Sequence, residues 1–336
     1  MKQFLYPINL INWRIILNNK DNICSIFMMV VIVSYFGYYS VKSFDKKFNF
    51  EISSSKNHKY KMNKLILRLV LILLMILFNE NIFTQQNHSV TDYSFYNTKT
   101  EYIYSQNVAD SFLILISVPD DYASSGKSYP VFYVLDGDIA FGMAASIARY
   151  LQIGDNIPEL IVVGIGYGAI GKSAAEKRLR DYGPQQGEGA EKFLNFLNDE
   201  LIPFIDSEYR TVTSDRTING FSLGGLFALY TLFTKPDAFS RYIVGSPYLV
   251  WDDYSIFNYE AKSFDKISVL NLNVFISVGS DESTEKYFEP IDSLVKNIQK
   301  QDYPELILET KVFQGSTRLM GPPEALTHGL ISVFNR

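Results

Sequence analysis

The sequence predicts an α/β fold in which a mainly parallel sheet is covered by helices on both faces. Three observations predict it. From about Thr98 onward, β-branched and aromatic runs recur with helical periodicities between them, the alternation that builds such a sheet. One run, Leu160–Ile165, is almost continuously apolar, as expected of a central strand buried on both faces. A Gly-Phe-Ser-Leu-Gly turn at 220–224 lies between a short strand candidate and a helical run, so a strand feeds directly into a helix there.

Taken in order, the chain begins with a portion unlike the rest. Two apolar runs, Ile23–Tyr39 and Leu65–Phe78, flank a polar stretch carrying Lys46, Lys47, Lys56 and Lys61. Met62-Asn63-Lys64, the apolar run interrupted only by Arg68, and the polar exit Asn79–Gln86 have the anatomy of a secretory signal. At about 14 residues that run is short for a bilayer, which needs roughly 20. We therefore read residues 62–86 as a signal peptide or membrane anchor. Residues 1–61 read as an over-extended reading frame or leader, with Ile23–Tyr39 as a rival anchor. Export, or a domain held outside the cytoplasm by these segments, is expected. No cysteine follows Leu65–Phe78 closely, which argues against a lipid anchor there.

The domain is expected over residues 98–336. Ser111–Val118 and Tyr129–Leu135 read as strands ended by turn residues, and Val274–Val278 and Leu306–Phe313 read the same way more weakly. Phe193, Leu194, Leu197, Leu201 and Ile205 repeat at helical spacing, as do Tyr287, Ile291, Leu294 and Ile298. A helix is also expected over Pro322–Phe334.

Composition narrows the chemistry. Cys24 is the single cysteine and the histidines are His58, His88 and His328. That removes a disulfide framework, a cysteine nucleophile in the domain, and the ligand sets of zinc sites. A net charge of -5 without basic clusters argues against nucleic-acid binding. No metal or cofactor is expected.

Gly220-Phe221-Ser222-Leu223-Gly224 fits a nucleophile elbow because strand–turn–helix is the context that motif demands. Side chains at Gly220 or Gly224 would collide with neighbouring elements, and the following helix aims its amides at a developing oxyanion. With these residues stand Tyr129–Asp138, Ile161–Tyr167, Arg180-Asp181-Tyr182, Phe193–Ile205 and Ser246–Trp251. Together they resemble the putative-esterase family of α/β-hydrolases. Its members include siderophore esterases, S-formylglutathione hydrolase, feruloyl esterases and mycolyltransferases, and the likeness is strongest to the siderophore-esterase branch.

The resemblance implies an α/β-hydrolase fold without a large lid and a serine carboxylesterase acting on a small ester such as a siderophore. It assigns the oxyanion amides to Leu223 and to Asp138 in the Leu-Asp-Gly-Asp turn. Acyl transfer to an alcohol in place of water would leave the same sequence. The acid of the triad is expected at Glu282, with Asp281 as the alternative.

The histidine is where this chain departs. Relatives carry Phe-x-Gly-x-Thr-His, and here the segment is Phe313-Gln314-Gly315-Ser316-Thr317-Arg318. Arginine stays protonated and cannot accept the serine proton. His328, ten positions later, would lie about 15 Å further along a helix, against a needed reach of roughly 3 Å. An alternative reading follows, in which the chain is a catalytically impaired homologue that binds ligands, with Arg318 as an anion clamp.

Overall fold

The computed structural model describes Phe95, residues 97–184 and residues 188–335, with two two-residue strands nearer the N-terminus. The chain divides into two compact units, Met1–Thr91 and Asp92–Arg336. In the first, Ile16–Leu17 pairs in parallel with Ser53–Ser54. The expected signal segment and both apolar runs lie outside the described residues. Among the described residues no helix is long and apolar enough to cross a membrane.

The second unit is built on one eight-stranded sheet. Its strands are β1 (Thr98–Ser105), β2 (Asp110–Ser117), β3 (Tyr129–Leu135), β4 (Ile161–Gly166), β5 (Thr211–Phe221), β6 (Arg241–Gly245), β7 (Leu272–Gly279) and β8 (Leu306–Phe313). They lie in the order β8-β7-β6-β5-β3-β4-β2-β1. All neighbours are parallel except β2 with β4 and β1 with β2, which are antiparallel. This is the α/β-hydrolase arrangement expected above.

Side chains on β3 show why the sheet is covered twice. Val131, Tyr133 and Leu135 enter one apolar core, and Phe132 and Val134 enter the other, as the two-residue period of a strand requires. Helices α1 (Gly137–Ile153) and α7 (Gly321–Phe334) supply Phe141, Ala144, Leu326 and Leu330 to the second core. The opposite face packs against α3 (Gly189–Asn195), α4 (Ile202–Glu208), α5 (Leu223–Thr234) and α6 (Glu289–Gln301) through Phe193, Ile205, Phe227 and Leu294. Helix α2 (Lys172–Tyr182) adds Tyr182 to the same core.

Two expectations need correction. The strand before the elbow is not short: β5 runs for 11 residues, its first half only partly buried, so its apolar signal is confined to the end. The helical run Phe193–Ile205 is two helices joined by a π-helical turn at Phe196–Leu201, where the i, i+4 ladder shifts by one residue.

Candidate active site

In a sheet of this kind ligands bind beyond the carboxyl ends of the strands, where the strand order reverses. Here β3 and β5 are neighbours although β4 lies between them in the chain, and the residues singled out above follow the ends of β3, β5, β7 and β8.

Ser222 directly follows β5 and precedes α5, with φ 59° and ψ -114°. That conformation is strained for a residue with a Cβ and persists only where its surroundings enforce it. They do so with three backbone bonds: Ser222 N–H donates to Gly245 O at 2.8 Å, and Ser222 O accepts from Leu226 N at 3.0 Å and Tyr248 N at 3.1 Å. A Cβ on Gly220 would overlap the Gly224 carbonyl, so glycine there is a condition of the turn. Ser222 is 4% exposed.

The turn from β3 into α1 is held as firmly. Asp136 has φ 56°. Its carboxylate accepts Arg178 Nε at 2.7 Å and Nη2 at 2.9 Å, and the same Nη2 donates to Phe221 O at 3.0 Å. Arg178 thus ties the β3–α1 turn to the residue before Ser222. Asp136 N–H also donates to the Tyr182 hydroxyl at 3.2 Å. The Asp138 carboxylate accepts Tyr167 N–H at 2.6 Å and Gly168 N–H at 2.9 Å. The Asp138 and Leu223 amides both belong to the first turns of helices, α1 and α5, where N–H groups have no acceptor within the helix. The positive end of each helix dipole lies at the same place.

Glu282 and Asp281 part company in the structure. Glu282 is buried at 9% exposure; its Oε1 accepts the Ser246 hydroxyl and the Gly279 amide, the latter at 3.0 Å. Its Oε2 is also buried and has no hydrogen-bond partner among the described residues. Asp281 is exposed, and its carboxylate accepts the neighbouring Ser280 hydroxyl at 2.9 Å. The alternative acid therefore does not enter the site, because the turn after β7 directs only the second of two adjacent carboxylates inward.

His328 also stays out of the site. It is an exposed residue within α7, its ring 5.2 Å from that of Phe313. Arg318 stands at the serine instead. Its Nη2 donates to Ser222 Oγ and its Nη1 to the Tyr287 hydroxyl, and its guanidinium carbon lies 5.2 Å from the Tyr287 ring centre. The loop that carries it is pinned to the Glu282 turn by Asp281 N–H to Ser316 O at 3.1 Å and Gly315 N–H to Ser280 Oγ at 2.8 Å. The anion clamp expected of Arg318 is in part committed, since two of its donors are taken by hydroxyls of the protein itself.

Sequence reasoning missed two residues. Arg178 belongs to no motif singled out in the sequence. Tyr287 reads as a core residue of a helical stripe, and it is indeed only 4% exposed. Its ring packs 5.8 Å from Tyr248, with its hydroxyl on Arg318. No local pattern marks either residue, because both act across strand ends far apart in the chain. Among the described residues no group of three or more histidine, cysteine or acidic side chains is placed to hold a metal ion.

Comparison with known proteins adds to this geometry. The family model described as "Putative esterase" matches residues 105–309. The ferri-bacillibactin esterase BesA of Bacillus subtilis is 31% identical over 215 residues, 56% of this chain and 72% of that protein. A siderophore triacetylfusarinine C esterase of Aspergillus fumigatus is 32% identical over 178 residues, 49% of this chain and 61% of that protein. Among solved structures, the BES protein from Bacillus cereus superimposes with a TM-score of 0.68 at 26% identity, over 73% of this chain and 98% of that one. An IroE-like serine hydrolase from Shewanella oneidensis, at 24% identity and a TM-score of 0.62 over 70% of this chain and 80% of that one, shares the fold.

Proposed function

The chain belongs to the putative esterase family, and from that premise we propose that it is a serine-type carboxylic-ester hydrolase for a small siderophore-class ester, working without a histidine base. Ser222 is the nucleophile, and the Leu223 and Asp138 amides receive the oxyanion. The observation that carries this reading is the strained elbow: Ser222 is held at φ 59° between β5 and α5, a conformation that persists only where its surroundings enforce it. The substrate class rests on the relatives, which are named as siderophore esterases.

The missing histidine sets the rate. A serine hydroxyl attacks poorly unless a neighbour accepts its proton, and Arg318 donates to Ser222 Oγ where an acceptor is needed. Oxyanion stabilisation and binding alone leave about 10³–10⁴-fold acceleration over water. The buried, unpartnered Glu282 Oε2 is explained on the same reading, since a ring N–H of a histidine at position 318 is the donor it lacks.

One observation favours a second reading, ligand binding without turnover. Arg318 brings a fixed cation to the serine, and a planar guanidinium suits the carboxylate of a hydrolysed ester. Both readings are tested by hydrolysis of a p-nitrophenyl ester at neutral pH by the full chain, Ser222→Ala and Arg318→His. Slow turnover that Ser222→Ala abolishes is expected, with a gain of at least about 100-fold in Arg318→His. Wild-type turnover equal to Ser222→Ala leaves the binding reading in force. Fast wild-type turnover that Arg318→His does not raise contradicts the reading that the missing histidine limits the rate.

A further inference from the structure

Resting on the reading of Ser222 as the nucleophile, we infer that Tyr287 is the base of this site, its phenol oxygen taking the Ser222 proton while the two arms of the Arg318 guanidinium hold both oxygens. The geometry carries it. Arg318 Nη1 donates to the Tyr287 oxygen and Nη2 to Ser222 Oγ, so one rigid fork sets the phenol and the serine hydroxyl side by side. Both residues are 4% exposed, which keeps the pair out of competition with bulk water.

Tyr287 is the acceptor that the Arg318 fork joins to Ser222. Arginine has no acceptor atom. Glu282 Oε1 is bound by Ser246 and Gly279, and its Oε2 has no hydrogen-bond partner among the described residues, Ser222 included; His328 is exposed on α7. A phenolate held against a guanidinium is stabilised by the cation, which also draws charge from the Ser222 oxygen as it attacks.

The proton inventory closes. Tyr287 phenolate accepts the Ser222 proton as Oγ bonds to the ester carbonyl carbon, and the carbonyl electron pair becomes the oxyanion at the Leu223 and Asp138 amides. When the adduct collapses, the ester C–O bond breaks and the departing alkoxide takes the proton from Tyr287. A water then gives a proton to the phenolate and attacks the acyl carbon. Ser222 leaves and is reprotonated from Tyr287. The net change is ester plus water to carboxylic acid plus alcohol, with Tyr287 as it began.

The groups facing Tyr287 are Arg318 and Ser222, which favour its phenolate, and Glu282 and Tyr248, which oppose it. Burial opposes it most, and the balance holds the phenol above its ordinary range. The phenolate is therefore a minor form at neutral pH, and the rate must climb with pH and still be rising where an ordinary phenol would already have titrated.

The test is the Ser222-dependent rate, wild type minus Ser222→Ala, followed from neutral pH to about pH 10.5 for the full chain and Tyr287→Phe. Phenylalanine keeps the ring against Tyr248, and melting temperature checks its fold. Tyr287→Phe is expected to lower kcat at the alkaline end by about 100-fold with KM nearly unchanged, and to flatten the climb. Arg318→Met, read independently, is expected to move the climb to higher pH, with Arg318→Lys in between. If Tyr287→Phe keeps both kcat and the climb while Ser222→Ala abolishes turnover, or if Arg318→Met leaves the climb in place, Tyr287 is not the base and the serine reading stands. If Ser222→Ala turns over as fast as wild type, both readings fall together.

Discussion

At Ser222 one strained hydroxyl meets a single cation, Arg318, which stands where the proposed function needs a histidine. This was legible in sequence at two places for the same reason: the elbow and the Phe313–Arg318 segment are local patterns whose spacing survives without the fold. Glu282 and Asp281 could not be separated that way, because adjacent carboxylates in a turn differ only in where the backbone points them. Glu282 now has a specific expectation. With no histidine to orient, Glu282→Gln in the wild-type background should change turnover by less than about threefold, whereas in the Arg318→His background it should cost at least about 100-fold. A double-mutant cycle on kcat measures the coupling; equal effects in the two backgrounds would remove Glu282 from the triad.

Among the elements, α2 carries more of the site than its charged sequence suggests. Arg178 joins Asp136 to Phe221 O, Lys177 and Arg180 both reach Asp110 on β2, and the Tyr182 hydroxyl accepts Asp136 N–H. A Lys/Arg-rich helix reads as a solvated face in sequence, and only the resemblance drew notice to Arg180-Asp181-Tyr182. Arg178→Met keeps the aliphatic stem and removes the fork, leaving Asp136 with its charge unpaired. It should lower thermal stability by about 2 kcal/mol and slow covalent labelling of Ser222 by at least about tenfold, since the β3–α1 turn is no longer tied to the elbow. Differential scanning calorimetry and labelling kinetics read the two effects; an unchanged labelling rate would reduce Arg178 to a structural role.

For the whole molecule, the strands Tyr129–Leu135, a strong apolar run, and Leu306–Phe313, a weaker one, begin and end where the sequence places them. The edge strand Thr98–Ser105, largely exposed, and the five-residue Arg241–Gly245 were not separately legible, because one lacks apolar periodicity and the other is too short to display it. The sheet also sets a dependence on pH. Burial raises the Asp110 carboxyl, but its bonds to Lys177, Arg180 and the Ser111 amide more than offset this, so its pKa lies below the ordinary value. A depressed carboxylate stabilises the fold above its unfolded-state pKa, and that contribution is lost as pH falls through the folded-state value. Asp110→Asn should therefore cost about 1 kcal/mol near neutral pH and almost nothing at the acid end, as urea denaturation at several pH values would record.

The central claim is that Ser222 is a poised nucleophile deprived of its histidine base. Intact-protein mass spectrometry of the full chain treated with a fluorophosphonate tests it most directly. The account predicts a single adduct on Ser222, formed slowly in wild type and at least about 100-fold faster in Arg318→His. An adduct on another residue, or a Ser222 adduct whose rate is the same in both proteins, would contradict it.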